Sequence, residues 1–476
     1  MINRIKIVAN ELILIGALLM RKNNLLLILA ILALPILMIN IEYTGIIVVT
    51  PVIATALAMP LAEANWIALA YLLVFSAFII AGGRLGDLYS AKLIMILGLV
   101  LFIGGSLVGG ASISFWQVLI GRGMQGLGAA VAFPNITATA YLCAPGHKKG
   151  AALAGLTAVV GLAMAIGPPL AGLLTSYGSW RWFFLINVPI GVATIFIIWN
   201  YLPEINSTSE KLKGKFDTLG VIFLAIFLSS ITYGLNCLKN GLNDLMVLCL
   251  SFMLAAVSLS LFIYNEKRAE QALICLEHFS NKKLIVSCLV RSGIHFGVYI
   301  VLFVIGLYLS FVMGFSADIA GLVLFPMSIA IGLFSFVSGK LVDKYEAYVP
   351  TNLGIILLII CYIGFIYLPI REHVSLIMAL FLLYGIAYTL TSPGLMKMTV
   401  SAVDESDKGL ASGVFYMMSL FGSTVGLGIA GLVLHCYRGE SERLSLILAF
   451  PWLMALCLIM AVISFVFLYA FKRSVA

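Results

Sequence analysis

Long apolar stretches separated by short polar segments fill the chain from residue 25 to its end. A helix needs about 20 mostly apolar residues to cross a lipid bilayer, and stretches of that kind recur fourteen times. The pattern therefore predicts an all-α membrane protein with fourteen spans. These spans lie near residues 25–50, 64–83, 93–112, 115–142, 150–175, 180–202, 217–236, 243–265, 284–309, 318–339, 351–369, 374–396, 408–434 and 446–471.

Composition agrees with this pattern and removes several classes of function. Of the 476 residues, 62% are hydrophobic and only 10% are charged, whereas soluble domains carry roughly 25% charged residues. A soluble enzyme, a nucleic-acid-binding protein and a disordered chain are therefore excluded, and the alternating pattern of an outer-membrane barrel is absent. The eight cysteines show no paired metal-ligand spacing, so we expect neither a metal site nor a cofactor.

The net charge of +8 is explained by the segments that carry it. If both termini are cytoplasmic, the inner segments hold 21 of the 28 lysines and arginines, the outer segments hold 5, and two lie within spans. Cytoplasmic loops of membrane proteins collect lysine and arginine. The split therefore predicts that both termini are cytoplasmic, and the positive charge needs no nucleic-acid partner.

Residues 1–24 leave two interpretations open. The apolar run from Leu12 to Met20 is too short to cross a bilayer, and no cleavage site follows it. This cytoplasmic N-terminal segment is either an interfacial helix or sequence that precedes a true start at Met20.

An internal repeat divides the rest of the chain. Three pairs of segments match at offsets of 256 to 259 residues: Gly83–Asp87 with Gly339–Asp343, Gly126 and Pro134 with Gly385 and Pro393, and Lys149-Gly150 with Lys408-Gly409. Spans 9–14 therefore repeat spans 1–6, and spans 7 and 8 are an inserted pair. The predicted domains are a six-helix bundle at 25–202, a linker with the inserted helices at 203–282, and a second six-helix bundle at 283–476.

Four segments resemble the motifs of one transporter family. They are Gly83–Lys92 between spans 2 and 3, Arg122–Gly128 in span 4, Gly161–Gly172 in span 5 and Trp180–Gly191 in span 6. Together they resemble the fourteen-helix drug:proton antiporter branch of the major facilitator superfamily. The resemblance implies two pseudo-symmetric six-helix bundles that work by alternating access.

The resemblance also implies a gate on the cytoplasmic side. Its residues would be Gly83, Asp87 and Lys92, with Gly339 and Asp343 in the second copy. Glycine permits a tight turn, and a carboxylate suits a neighbouring helix N-terminus. The alternative is an ordinary charged turn.

Glu42 is the only carboxylate predicted to lie deep within a span, in a segment that resembles the first-helix motif. Intramembrane charges usually face a cavity and pair with one another. An apolar setting favours the neutral acid, whereas a nearby arginine favours the carboxylate. We therefore expect Glu42 either to exchange protons, coupled to Arg122, or to be a static partner of Arg122. For Arg122 itself, snorkelling toward the membrane surface is the alternative.

In span 5, Gly167, Pro168 and Gly172 lie in a glycine-rich stretch that resembles the antiporter motif. Small residues let helices approach closely, and proline removes a backbone donor. We expect these residues to shape the packing of this helix.

The substrate cavity is predicted from polar positions within spans. Arg291, His295 and Tyr299 recur every four residues and share one face of span 9. This face is expected to line the cavity, with Arg291 as a snorkelling anchor as the alternative. The other residues predicted to line the cavity are Asn40, Tyr43, Gln125, Asn135 and Tyr384.

The resulting hypothesis is a proton-coupled exporter of small amphipathic compounds in a bacterial cytoplasmic (inner) membrane. We expect a monomeric transport unit, with a small-molecule substrate, protons and membrane lipids as its partners and the proton gradient as its energy source. The alternatives are a proton-coupled importer and a non-transporting sensor or assembly subunit. If Glu42 carries the proton, no acid remains for a second cationic centre, so divalent organic cations should be poor substrates.

Overall fold

The computed structural model describes residues 25–145, 149–203, 216–237, 245–269, 273–274, 276, 280–367, 373–403, 408–437 and 441–475. The N-terminal segment 1–24, with both of its interpretations, lies outside the described residues. So do several connecting segments on which the charge split rests, including 204–215 and 238–244.

Fourteen helices in the described part of the chain are long and apolar enough to cross a membrane, which confirms the predicted fold class. The first six are α1 (Leu25–Ala56), α2 (Leu61–Leu88), α3 (Ala91–Gly110), α4 (Phe115–Cys143), α5 (Lys149–Tyr177) and α6 (Trp180–Tyr201). The other eight are α7 (Thr218–Cys237), α8 (Leu245–Glu266), α9 (Lys282–Leu307), α10 (Ala317–Lys344), α11 (Tyr348–Ile366), α12 (Val374–Val400), α13 (Lys408–Cys436) and α14 (Glu442–Val475).

The segment between spans 2 and 3 is more helical than predicted. α2 continues to Leu88, so only Tyr89 and Ser90 separate it from α3. The cap of α3 is Ser90, whose hydroxyl oxygen accepts a hydrogen bond from Leu93 N at 3.4 Å. A serine thus occupies the capping position, and a role for the Asp87 carboxylate at this helix N-terminus stays a prediction.

α6 is interrupted at Ile186, between the segments Trp180–Leu185 and Asn187–Tyr201. The local cause is Pro189, which lies in the first turn of the second segment and has no backbone N–H to continue the helical hydrogen bonds. The break places Asn187 at the start of the second segment.

Helix contacts repeat between the two halves of the chain. α3 packs on α4 as α11 packs on α12, and α1 packs on α5 as α9 packs on α13. Across the halves, α5 contacts α10 and α2 contacts α13. Each of these pairs has a counterpart related by the sequence repeat, so the two six-helix bundles are pseudo-symmetric. α7 and α8 pack on each other, and α7 also contacts α2 and α13.

At the face predicted to be external, the two halves are in close contact. Ser176 Oγ, near the end of α5, donates to Asp318 Oδ1 of α10 at 3.0 Å, and Asp318 N donates to Ser176 Oγ at 3.1 Å. Between α2 and α13, Asn65 Nδ2 donates to Leu427 O at 3.3 Å. These contacts close the gap between the halves at this face.

At the face predicted to be cytoplasmic, the same helix pairs separate. A Cβ atom added to Gly321 of α10 would lie 2.6 Å from Pro168 O of α5, whereas one added to Gly339 would meet nothing within 4 Å. Gly339 lies five turns after Gly321, on the same helix face. On α13, Gly431 abuts Asn65, and Gly413, five turns earlier on that face, again meets nothing within 4 Å. These two helix pairs therefore touch at one face and diverge toward the other.

Candidate functional site

A buried carboxylate and arginine pair lies between α1 and α4. Glu42 Oε1 accepts a hydrogen bond from Arg122 Nη1 at 2.8 Å, and each side chain is 1% exposed. The other carboxylate oxygen, Oε2, accepts a hydrogen bond from Asn187 Nδ2 of α6 at 2.9 Å. Both oxygens of Glu42 are therefore occupied, and the pair is shielded from solvent. A change in the charge of either partner will be felt strongly in this setting.

The remaining groups of Arg122 also bind within the first six helices. Nε donates to Ile67 O of α2 at 2.9 Å, and Nη1 donates to Gln125 Oε1 at 2.8 Å. Gln125 Nε2 in turn donates to Ser106 Oγ of α3 at 2.9 Å. The Tyr71 ring lies beneath the guanidinium, with 4.4 Å between its centroid and Cζ. The snorkelling alternative for Arg122 does not fit this geometry, because the guanidinium points into the protein.

Glycines let α3 and α4 approach closely enough to build this network. A Cβ atom added to Gly128 would lie 2.5 Å from Gly98 O, and one added to Gly121 would lie 2.8 Å from Gly105 O. Only glycine allows two backbones to pack at such separations. Because Ser106 follows Gly105, the close approach brings its hydroxyl to Gln125.

A second polar cluster lies between α9, α12 and α13. Arg291 Nε donates to Ser419 Oγ at 2.8 Å, and Arg291 Nη2 donates to Tyr388 Oη at 3.4 Å. The Tyr388 hydroxyl lies 3.3 Å from His295 Nε2, and Ser423 Oγ lies 3.4 Å from His295 Nδ1. Arg291 and His295 are each 4% exposed. This face of α9 therefore meets protein, and the snorkelling alternative for Arg291 does not fit either.

Tyr43 and Tyr299 connect the two clusters. Tyr43 follows Glu42 on α1, and its hydroxyl lies 3.4 Å from Ser423 Oγ. Tyr299 Oη of α9 donates to the backbone oxygen of Tyr43 at 2.5 Å. Their rings meet edge to face, with 4.8 Å between the centroids. α1 is thus held by α9 and α13 at the residue next to Glu42.

The sequence model of the Major Facilitator Superfamily matches residues 30–427. The chain belongs to this superfamily. The multidrug resistance protein Stp of Mycobacterium tuberculosis is 29% identical over 379 residues, which cover 78% of this chain and 69% of Stp. The methylenomycin A resistance protein of Bacillus subtilis is 26% identical over 420 residues, which cover 86% of this chain and 87% of that protein. Multidrug resistance protein 3 of Bacillus subtilis is 28% identical over 396 residues, or 80% and 75% of the two chains.

Solved structures share the fold at low sequence identity. A POT family transporter in complex with a thioalcohol-conjugated peptide has a TM-score of 0.66 at 15% identity, over 92% of this chain and 95% of that one. A bacterial homologue of the human lysosomal transporter Spinster, in an inward-facing and unoccupied conformation, has a TM-score of 0.66 at 15% identity, over 94% and 96%. With the family match, the chain is a multi-pass membrane transporter with the major facilitator fold.

Two asparagines predicted to line the cavity of this transporter have partners within the helices. Asn135 Nδ2 donates to Gly82 O of α2 and to Val131 O of α4, both at 2.8 Å. It therefore ties α4 to α2, a contact that does not test the cavity role predicted for Asn135. Asn40 Nδ2 donates to Ile36 O within α1 at 2.8 Å, and its place in the cavity stays a prediction.

Tyr384 and Gln125 also lie away from the second cluster. The Tyr384 hydroxyl is 3.1 Å from the Tyr362 hydroxyl, inside the packing of α12 on α11. Gln125 is fully buried among α3 and α4 beside Arg122. Polarity within a span serves helix packing as well as substrate contact, and the cavity role of both residues stays a prediction.

The predicted gating residues lie at the diverging ends of the superfamily fold. Asp87 is exposed near the end of α2. A Cβ atom added to Gly339 would meet nothing within 4 Å, and one added to Gly83 would lie 3.4 Å from Pro134 Cβ. The Lys92 side chain contacts the end of α6. Its Nζ donates to the carbonyl oxygens of Trp199 and Leu202 at 2.8 and 2.7 Å. It thus caps the C-terminal end of α6. The Asp343 side chain lies outside the described residues, and the gate stays a prediction.

The antiporter motif packs α5 between α1 and α10. A Cβ atom added to Gly167 would overlap Thr44 Oγ1 of α1, and one added to Gly172 would overlap Ala317 O of α10. α5 continues as a helix through Pro168. The motif therefore fixes α5 against α1 two residues away from Glu42.

Sequence reasoning missed several residues that complete the two clusters. Asn187 belongs to the sixth-helix motif, but nothing in its spacing points to Glu42, which lies 145 residues away. Ser419 and Ser423 lie four residues apart on α13, and this period is the signal that could have found them. Tyr388 lies one turn beyond Tyr384, where the same signal applies.

Proposed function

We propose that the chain exports small amphipathic compounds from the cytoplasm in exchange for protons, by alternating access. The observation that carries the proposal is the buried pair of Glu42 and Arg122, whose charges meet inside the first six helices. Glu42 carries the proton, and Arg122 responds to the charge of Glu42.

Protonation changes the forces at this pair. The neutral acid no longer balances the Arg122 guanidinium, and removing one charge from a buried ion pair costs about 3–5 kcal/mol. An energy of that size shifts a two-state equilibrium by roughly a hundredfold or more. The proton enters from the external side when that side is open and leaves toward the cytoplasm when the inner side is open.

Tyr43 carries the change to the second half of the molecule. Its backbone oxygen and its hydroxyl contact Tyr299 and Ser423, so a movement of α1 at Glu42 acts on α9 and α13. Protonation in the outward-open state therefore re-forms the external contacts of α5 with α10 and of α2 with α13 as the cytoplasmic ends separate, and release of the proton to the cytoplasm permits the reverse movement. In this mechanism 25–202 and 283–476 move as two bodies, and 203–282 links them.

The proposed location is a bacterial cytoplasmic membrane with both termini in the cytoplasm. The split of 21 inner against 5 outer basic residues supports this orientation. In it, the diverging helix ends face the cytoplasm, where an exporter takes up its substrate. The transport unit is a monomer in contact with membrane lipids, and the proton gradient drives it without a cofactor.

Export is favoured over import by the relatives. Stp and the two Bacillus proteins are named for resistance to drugs or to methylenomycin A, a role that export fulfils and import does not.

The test uses Glu42→Gln in the purified full chain, reconstituted into liposomes with N-phenyl-1-naphthylamine as the probe. Glutamine keeps the size of the side chain but cannot carry a proton. We expect probe binding to persist, while proton-driven probe transport and coupled proton flux fall to the level of empty liposomes. Transport at the parental rate with unchanged pH dependence would contradict the proposal.

The matched control is Glu63→Gln, which removes an exposed carboxylate from the first turn of α2. We expect its transport rate and proton coupling to equal those of the parent, because Glu63 is outside both polar clusters.

A further inference from the structure

Arg291 lacks the counter-charge that Arg122 has. Arg122 pairs with Glu42, whereas no carboxylate pairs with Arg291 among the residues that the structure describes. Its Nη1 atom has no hydrogen-bond partner there, and the residue is 4% exposed. An unpaired buried cation is costly, so intramembrane charges of this kind are typical of functional sites.

The surroundings of Arg291 are aromatic and polar, not acidic. The Phe415 and Tyr388 ring centroids lie 4.8 and 5.6 Å from the Arg291 Cζ. Ser419 Oγ accepts from Nε and already donates to Phe415 O at 2.9 Å. The titratable groups of the described residues that face Arg291 are His295, Tyr43, Tyr388 and Tyr416. None of these groups is negatively charged at neutral pH.

The free donors of Arg291 are suited to an oxyanion. Nη1 has no partner, and Nη2 makes only the 3.4 Å contact with Tyr388. A guanidinium offers two parallel N–H groups to the two oxygens of a carboxylate or sulfonate. The Phe415 and Tyr388 rings provide an apolar surface for the body of such a molecule.

The cluster lies where the helices diverge toward the predicted cytoplasmic face. Ser419 is less than two turns from Gly413. A Cβ atom added to Gly413 would meet no atom of another helix within 4 Å. On the opposite side, the contact of Tyr299 with Tyr43 closes the cluster. A ligand entering from the cytoplasmic side would pass the edge-to-face contact of Tyr416 with Phe133 of α4, whose ring centroids lie 5.2 Å apart and which joins the two halves.

We propose that Arg291 binds the acidic group of amphipathic monoanions, with an aryl carboxylate or aryl sulfonate as the substrate class. The ring system of the substrate packs against Phe415 and Tyr388, and the oxyanion neutralises the guanidinium. Transport of such compounds rests on the proposed export function, but their binding does not. Dicationic compounds are excluded, because this cluster repels them and supplies no carboxylate.

Equilibrium binding of two matched probes tests the proposal without a proton gradient. 1-Anilinonaphthalene-8-sulfonate and N-phenyl-1-naphthylamine share one ring framework, and only the first carries a sulfonate. The full chain in lipid nanodiscs is titrated with each probe, and the fluorescence of empty nanodiscs is subtracted. We expect Arg291→Gln to weaken sulfonate binding about tenfold or more, as for loss of a charge-assisted pair. Binding of the neutral probe should change less than about twofold.

Two further variants keep the test decisive. Arg291→Lys keeps the charge and loses the paired donors, so it should bind the sulfonate with intermediate affinity, and it replaces Arg291→Gln if that variant does not fold. Arg443→Gln removes an exposed arginine at the start of α14 and should leave both affinities unchanged.

Unchanged sulfonate binding in the Arg291 variants, or equal weakening of both probes, would overturn the proposal. Sulfonate selectivity that depends on Arg291, in a protein that exports neither probe, would instead support this site and overturn the export function alone.

Discussion

Asn187 orients the Glu42 carboxylate. Its side-chain amide donates to Glu42 Oε2 while Arg122 holds Oε1, so the carboxylate is fixed by donors from two helices. A hydrogen bond to a charged group contributes about 1.5–3 kcal/mol. In the proposed mechanism Asn187 is therefore a positioning residue, which acts through the Glu42 carboxylate.

We expect Asn187→Ala to lower proton-coupled transport of N-phenyl-1-naphthylamine about tenfold or more, because one carboxylate oxygen loses its donor. Equilibrium binding of the probe should be unchanged, which separates this effect from loss of the fold. Asn200→Ala is the matched control, since Asn200 lies on the same helix and its exposed side chain donates only to Phe196 O among the described contacts. Equal transport rates in the two variants would refute the role of Asn187.

At the scale of elements, α5 is fixed by the contacts of its glycines. A Cβ atom at Gly167 would overlap Thr44 of α1 and lie 3.0 Å from Ile41 O, whereas one at Gly155 would meet nothing within 4 Å. Packing therefore requires a glycine at position 167 of this helix and not at position 155. Gly167 permits close packing, and Gly155 has no neighbour that requires a glycine.

Substitution of these two glycines by alanine should have opposite effects on stability. Gly167→Ala overpacks the contact with α1 and should destabilise the protein by about 1–3 kcal/mol. Gly155→Ala adds helix propensity without a clash and should be neutral or stabilising by up to about 1 kcal/mol. Thermal unfolding midpoints of the purified variants measure both. A midpoint for Gly167→Ala at or above that of Gly155→Ala would contradict the assignment.

Helices were predictable because the length of an apolar stretch is a local property, and this property alone reproduces all fourteen spans. Contacts between helices are not local. The pairing of Glu42 with Arg122 followed from the need to neutralise buried charge, but Asn187 carries no charge and gave no such signal. The helix contacts of Asn135 and Tyr384 could not be foreseen for the same reason, since a polar side chain in a span can bind a neighbouring helix as well as a substrate.

At the scale of the whole molecule, the space around two pairs of glycines shows which face of the transporter is closed. Gly321 and Gly431 contact the opposite half near the external face, and Gly339 and Gly413 face open space five turns away on the same helix faces. The interfaces that these glycines probe, α5 with α10 and α13 with α2, are related by the internal repeat, so in the proposed mechanism closing one face and opening the other is a single movement of two bodies. Alternating access then predicts that Gly339 and Gly413 meet the opposite half once the cytoplasmic face closes.

The two α13 glycines allow this movement to be tested with one helix. Valine at position 431 overlaps Asn65 and should open the external face, whereas valine at position 413 fits this state and obstructs closure of the cytoplasmic face. The readout is the rate at which a thiol reagent modifies the cysteine introduced by Ala317→Cys. All eight native cysteines are replaced by serine in this protein. Ala317 is buried on α10 against Gly172 of α5.

We expect Gly431→Val to raise the rate at which an external, membrane-impermeant thiol reagent modifies this cysteine, and Gly413→Val to lower it below the parent. Both variants should transport more slowly, because each favours one state. The cysteine reports on α5 and α10, whereas the substitutions act between α2 and α13. Opposite shifts at this remote pair therefore require the halves to move as bodies, whereas labelling rates equal to the parent in both variants would show that each helix pair opens independently.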